Sequence, residues 1–174
     1  MFCANELQAK KEIDFDQYFL DETFRIDYYH IGDAKTEIIT IDQLYRYGIW
    51  AGSKKNLIDK FNNGRYYAYV YDMDSDKLLF SKGYDSYYGE YKTSTPAIEG
   101  IKRTYHESIL MPFPKKKVKL LIKIRNKDNE LEDFYSTEID PFDVRVIEVK
   151  LNDESISVTK SLYNGDPHEK VDVA

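Results

Sequence analysis

The stretch from Arg65 to Tyr91 constrains this chain more than any other. Its first half, Arg65-Tyr66-Tyr67-Ala68-Tyr69-Val70-Tyr71, runs into the acidic turn Asp72-Met73-Asp74-Ser75-Asp76, and the chain returns through Lys77-Leu78-Leu79-Phe80-Ser81. Strong β formers flanking a polar turn read as paired strands. With 16 tyrosines in 174 residues, the core and faces of the fold are built from amphipathic rings. That composition suits an all-β binding or scaffolding module more than an enzyme.

Short strands recur on either side of this hairpin. Thr23 to Ile31 alternates, with Phe24, Ile26, Tyr28 and His30 on one side, and Gly32-Asp33 turns the chain into a second strand, Thr36 to Ile41. Thr40-Ile41-Asp42-Gln43 also has the spacing of a helix cap, which would open a helix of at most two turns closed by Gly48. Ile49 to Gly64 reads as a long loop anchored by Trp50, the one tryptophan. Ala97 to Leu110 fits helical and strand periods both, and its β-branched content favours a strand from about Lys102, ended by Pro112 and Pro114. Val118 to Arg125 and Leu131 to Ile139 alternate cleanly about the turn Asn126 to Asn129. Val144 to Leu151 and Ser155 to Thr159 form a last pair. All five prolines are expected at element boundaries, as sheets require. The pattern predicts an all-β fold: an antiparallel β-sandwich, jelly-roll or Ig-like, with at most one or two short helices.

At this length the chain buries a core of its own. A formal charge of −6 argues against a nucleic-acid partner, because phosphate neutralisation needs a basic surface. Lys115-Lys116-Lys117 reads as a solvated turn beside a strand edge. The one cysteine, Cys3, allows no internal disulfide. No apolar run is long enough to span a membrane. Residues 1–9 read as the remnant of a signal peptide, with a charged mature start at Lys10-Lys11, or as a ragged terminus.

Candidate chemistry is sparse. His106-Glu107 begins a His-Glu-x-x-His pattern, but Leu110 occupies the second histidine's position, so His106 is expected to pack or hydrogen-bond within the sheet. Asp72, Asp74 and Asp76 match the first half of an EF-hand loop, yet Lys77 and Gly83 stand where its glycine and glutamate belong. An acidic hairpin tip is the plainer reading, with weak calcium binding the alternative. No nucleophile elbow or phosphate-binding glycine loop is present, and no catalytic or metal residue is assigned. The candidate ligand face is the tyrosine set Tyr66, Tyr84, Tyr87, Tyr88 and Tyr91, suited to sugars or protein surfaces where exposed. The bland alternative is that most of these rings are core or half-buried.

Several segments together resemble a known family. They include Leu44 to Asp59, Asn62 to Tyr67, Tyr88 to Lys92, Arg103 to Ser108 and Asn164 to Asp172. The chain from about Ile13 resembles the N-terminal domain of the IgA-peptidase family of secreted bacterial zinc metallopeptidases. The resemblance implies a β-sandwich over residues 10–165 that precedes a catalytic zinc domain. Residues 166–174 would lead into that domain, with Asp166, Pro167 and His168 as interdomain contacts. It also implies a secreted, periplasmic or cell-surface bacterial protein whose partner is the catalytic domain. Zinc belongs to that domain. The family's catalytic motif is absent here, so peptidase activity is not carried over. A free-standing carbohydrate- or protein-binding module is the alternative.

Overall fold

The computed structural model describes residues 13–150, together with Thr159 and Gly165. A single turn, α1 (Phe15–Tyr18), leads into β1 (Phe19–Gly32) and β2 (Glu37–Tyr47). The tyrosine hairpin follows as β3 (Tyr66–Asp72) and β4 (Leu78–Tyr84). Two more single turns, α2 (Tyr87–Tyr91) and α3 (Thr95–Ile98), precede β5 (Arg103–Pro114), β6 (Val118–Arg125), β7 (Leu131–Ile139) and β8 (Val146–Val149). The strands make two sheets, ordered β5-β1-β2-β8 and β4-β3-β6-β7. This is the expected all-β sandwich, with three single-turn helices where at most two were expected. Every pairing is antiparallel except β2 with β8.

The core lies between the sheets. Phe24, Ile26, Ile109, Met111 and Phe113 of the first sheet belong to the same buried cluster as Ala68, Val70, Leu120 and Ile122 of the second. Alternation in each strand puts one side chain in two inward, which is why the periodic segments became strands. The chain changes sheet between Pro114 and Val118, where Lys115, Lys116 and Lys117 form the solvated corner. Lys116 pairs with Asp74 at 2.8 Å and Lys117 with Asp140 at 3.2 Å.

Two expectations are corrected. The helix considered near Thr40 to Gly48 does not form; β2 continues to Tyr47 because β1 pairs along it up to Thr23–Tyr47 and β8 flanks its other side. Gly48, at φ 50°, ends a strand. Pro112 sits inside β5, not at its end. It is tolerated because β5 is an edge strand and Pro112 faces Thr23 beside an irregularity in β1. The segment from Val144 supplies β8, which pairs in parallel with β2. Ser155 to Val158 lie outside the described residues, as do residues 1–9 and Asp166, Pro167 and His168.

The loop after β2 is pinned to the β4 side. Trp50 is buried and meets Phe80 edge-on at 6.1 Å. Leu57 is buried too, and Ser81 of β4 exchanges backbone hydrogen bonds with it and with Asp59, at 2.9 and 3.2 Å. No described helix is long and apolar enough to cross a membrane.

Candidate functional site

The residue at the centre of the site is His30, which sequence reading left isolated. Its side chain is 1% exposed and points between the sheets from β1. Nε2 lies 2.8 Å from Glu37 Oε1 at the start of β2, and Nδ1 lies 3.1 Å from Glu107 Oε2 on β5. An imidazole facing a carboxylate at each nitrogen satisfies both only as the doubly protonated cation. Burial works against that charge, but the hydrogen bonds and fields of Glu107 and Glu37 outweigh it, and the pKa of His30 rises above its ordinary 6.5.

The carboxylates respond in kind. Burial alone would raise Glu37. Donors on His30, Lys92 and Tyr66 reverse this and hold it at about 2. Glu107 is likewise lowered despite burial, by hydrogen bonds from His30, Tyr28 and the Tyr88 backbone. Lys92, at the end of α2, donates to Glu37 Oε2. Two cations thus face two anions, and the cluster is neutral.

Tyrosine hydroxyls fill the remaining positions. Tyr28 donates to Glu107 Oε2 at 2.8 Å and Tyr66 to Glu37 Oε1 at 2.8 Å. The hydroxyls of Tyr28 and Tyr84 lie 3.3 Å apart. Burial, reinforced by the neighbouring carboxylates, raises the hydroxyl pKa values of Tyr28, Tyr66 and Tyr84, so all three stay protonated donors. Because Tyr66 and Tyr84 belong to the second sheet, the network ties one sheet to the other. The arrangement is closed and mutually satisfied, and its chemistry is that of a clamp.

The five candidate tyrosines gather at this end of the sandwich, but they do not make an open face. Tyr66, Tyr88 and Tyr91 are buried and Tyr84 is half-buried. Tyr88 stacks on His30, and its hydroxyl reaches the carbonyls of Asp33 and Thr36 at 2.8 and 2.7 Å. Tyr91 donates to the Ile101 carbonyl. Only Tyr87 is open, at 76% exposure. The cause is local: α2 is a single turn capped by Ser86, whose Oγ accepts from Gly89 N at 2.8 Å. The turn sends Tyr88 inward and leaves its neighbour outward.

Beside Tyr87, a cleft of about 370 Å³ opens between the edge strands β4 and β5. Ala68 and Ile109 contribute to its wall, with Tyr28, Tyr84 and Glu107 on the side toward the buried cluster.

The other candidates sit apart. His106 and Glu107 project to opposite faces of β5, so they cannot share one ligand. His106 is half exposed on its own sheet, against Asp42 of β2 at 3.2 Å and the ring of Tyr29 of β1, as expected of a side chain that packs within the sheet. Asp72 caps its own turn by accepting from Ser75, and Asp74 pairs with Lys116. Among the described residues no three His, Cys, Asp or Glu side chains converge to hold a metal.

The signal for His30 was present in the sequence: it shares the inward side of β1 with Phe24, Ile26 and Tyr28. Its partners, 7 and 77 residues away, were not visible.

No curated protein matches the chain. The family described as Peptidase M64 N-terminus matches residues 14–136, which run from α1 through most of β7. The chain therefore belongs to the M64 family, the IgA-peptidase family of metallopeptidases, as its N-terminal domain.

Proposed function

We propose that this domain is the non-catalytic N-terminal module of a secreted bacterial zinc metallopeptidase, packing on the catalytic domain and holding protein or glycoprotein substrate for it. The observation that carries the reading is the family match across a β-sandwich whose central ionisable cluster is internally neutralised and closed. A carboxylate or imidazole spent on internal pairing is a poor general acid or base. Exposed apolar side chains along Phe142, Val144, Ile147 and Val149 support the packing part, since such a stretch is normally covered by a partner.

The test compares the parent peptidase with a version lacking this module, over a panel of protein substrates. The reading expects intact peptide-bond chemistry on short peptides and altered selectivity on folded glycoproteins. Unchanged selectivity, together with no binding of the module to the catalytic domain in trans, would sink it.

A second reading, a free-standing carbohydrate-binding module, is favoured by the open Tyr87 ring beside the β4–β5 cleft. Tyr87→Ala is its proper probe. Tyr88→Ala removes a buried ring and would report on folding instead.

A further inference from the structure

The edge strands of the sandwich are β5 and β8 in one sheet and β4 and β7 in the other. An open edge carries unpaired main-chain N–H and C=O groups and invites another strand, so folded domains blunt their edges. Three of these four are blunted. β8 is four residues long. β4 carries the loop after β2 along its flank: Ser81 N donates to Leu57 O at 2.9 Å, Asp59 N to Ser81 O at 3.2 Å, and Gly83 N to Asp59 Oδ2 at 3.3 Å. β7 is bulged, since Tyr135 faces Ile122 and Asp133 faces Lys123, which leaves Phe134 without a partner across the sheet. It also exposes Glu132, Asp133 and Glu138.

β5 is the exception. From Arg103 to Met111 it pairs with β1 residue for residue, with no bulge, proline or lysine in the stretch. Among the described residues, no hydrogen bond from outside β1 reaches this main chain. Its inward carboxylate, Glu107, is engaged by His30, Tyr28 and Tyr88 N, and so does not guard the edge. His106 to Leu110 all line the cleft of about 370 Å³ between β5 and β4. Successive side chains of a strand point to opposite faces, so five residues in a row border a cleft only where the edge itself forms its wall. Five strand residues span about 17 Å. Deeper in, Ala68 and Ile109 give the cleft an apolar wall between the sheets.

We propose that β5 takes up an extended segment of a polypeptide substrate as an added strand, its main chain paired along His106 to Leu110 and an aliphatic side chain turned in against Ala68 and Ile109. The proposal deepens the substrate-holding reading and rests on it. The unpaired groups of a strand edge are matched by another main chain at strand spacing, which an oligosaccharide does not possess. A second copy of this domain, pairing two-fold through β5, would bring its own β4 and Tyr87 against those of the first, an obstacle that a single extended chain does not meet. Charges of both signs border the cleft, Lys82 and Asp85 among them, so recognition falls to the main chain and the inward side chain. A charged side chain in that inward position would lose its water against an apolar wall.

The test measures fluorescence anisotropy of a fluorescein-labelled octapeptide of alternating valine and threonine against the whole chain. Two comparison peptides carry N-methyl groups on all the valines or on all the threonines, each removing the donors along one edge of the added strand. One of the two should bind within about threefold of the parent peptide and the other at least tenfold more weakly. A threonine–aspartate counterpart should lose tenfold or more. Amide hydrogen exchange should slow within residues 106–110 when the peptide is bound, and stay unchanged in β4 and β7. Equal affinity for the two N-methylated peptides, slowing at another edge alone, or no peptide binding would each overturn the proposal. If the chain instead sediments as a dimer with β5 protected, the occupant is a second copy and the proposal falls. Docking of the module on the catalytic domain is measured separately. Docking without peptide binding removes the added strand alone, whereas peptide binding without docking removes the packing reading.

Discussion

The imidazole of His30 lies against the ring of Tyr88, centroids 4.1 Å apart and planes 25° from parallel. A buried strand cation is thereby covered by the one-turn helix α2, which also sends Lys92 to the same carboxylate as His30. Charge, stacking and helix placement are coupled at one point between the sheets.

Removing His30 should be expensive. His30→Ala leaves Glu37 and Glu107 buried without their shared cation, a change that typically costs about 3–5 kcal/mol. Urea denaturation at pH 6 should show a corresponding drop in midpoint. A midpoint within error of the parent chain would mean the network contributes nothing.

Stability should peak in mildly acidic conditions. His30 has a raised pKa when folded, so its contribution is complete below its unfolded value of about 6.5 and is lost as pH rises through the folded value. Glu37 and Glu107 have lowered values, so theirs is complete above about 4.3 and is lost as pH falls, with Glu37 holding on until about pH 2. The cluster therefore contributes most between about pH 4.5 and 6.5. Denaturation midpoints across pH 3–9 check this, and His30→Gln should flatten the alkaline limb.

Neighbouring tyrosines should behave oppositely. Tyr88→Ala empties a fully buried site and should destabilise by about 3–5 kcal/mol, while Tyr87→Ala should stay within about 0.5 kcal/mol. Parallel melts of the two variants decide this. Similar losses would place Tyr87 in contacts that its exposure does not suggest.

Gly32→Ala should be poorly tolerated. Gly32 sits at φ 150°, and a β-carbon there would fall 1.9 Å from the Thr36 carbonyl oxygen and 2.5 Å from the Tyr88 hydroxyl. Backbone cannot yield that far, so a loss of about 3 kcal/mol or more is expected from strain and overpacking together. Expression yield and thermal melting of the variant would show it.

Trp50 offers a built-in probe. Buried against Phe80, it should emit at short wavelength, resist acrylamide quenching, and shift to the red on unfolding. A native emission already like that of free tryptophan would place the loop off the sheet.

The strands were largely legible because burial on one face imposes a period of two. Val118 to Arg125 and Leu131 to Ile139 were readable to the residue, and the tyrosine hairpin nearly so. Where local chemistry was ambiguous, as at Thr40 to Gln43, a cap motif competed with strand pairing and lost to β1, with β8 added on the other side from Leu44 onward.

By itself, then, the sequence determined the sandwich, its hairpins and the inward direction of His30, since alternation and turn chemistry are local properties. The tertiary structure alone decided that Glu37 and Glu107 converge on that histidine, that Lys92 reaches the same Glu37, and that Tyr66 and Tyr88 pack on its ring while Tyr87 stays open. Those relations join residues distant in the chain. They depend on strand order and sheet packing, which no local pattern encodes.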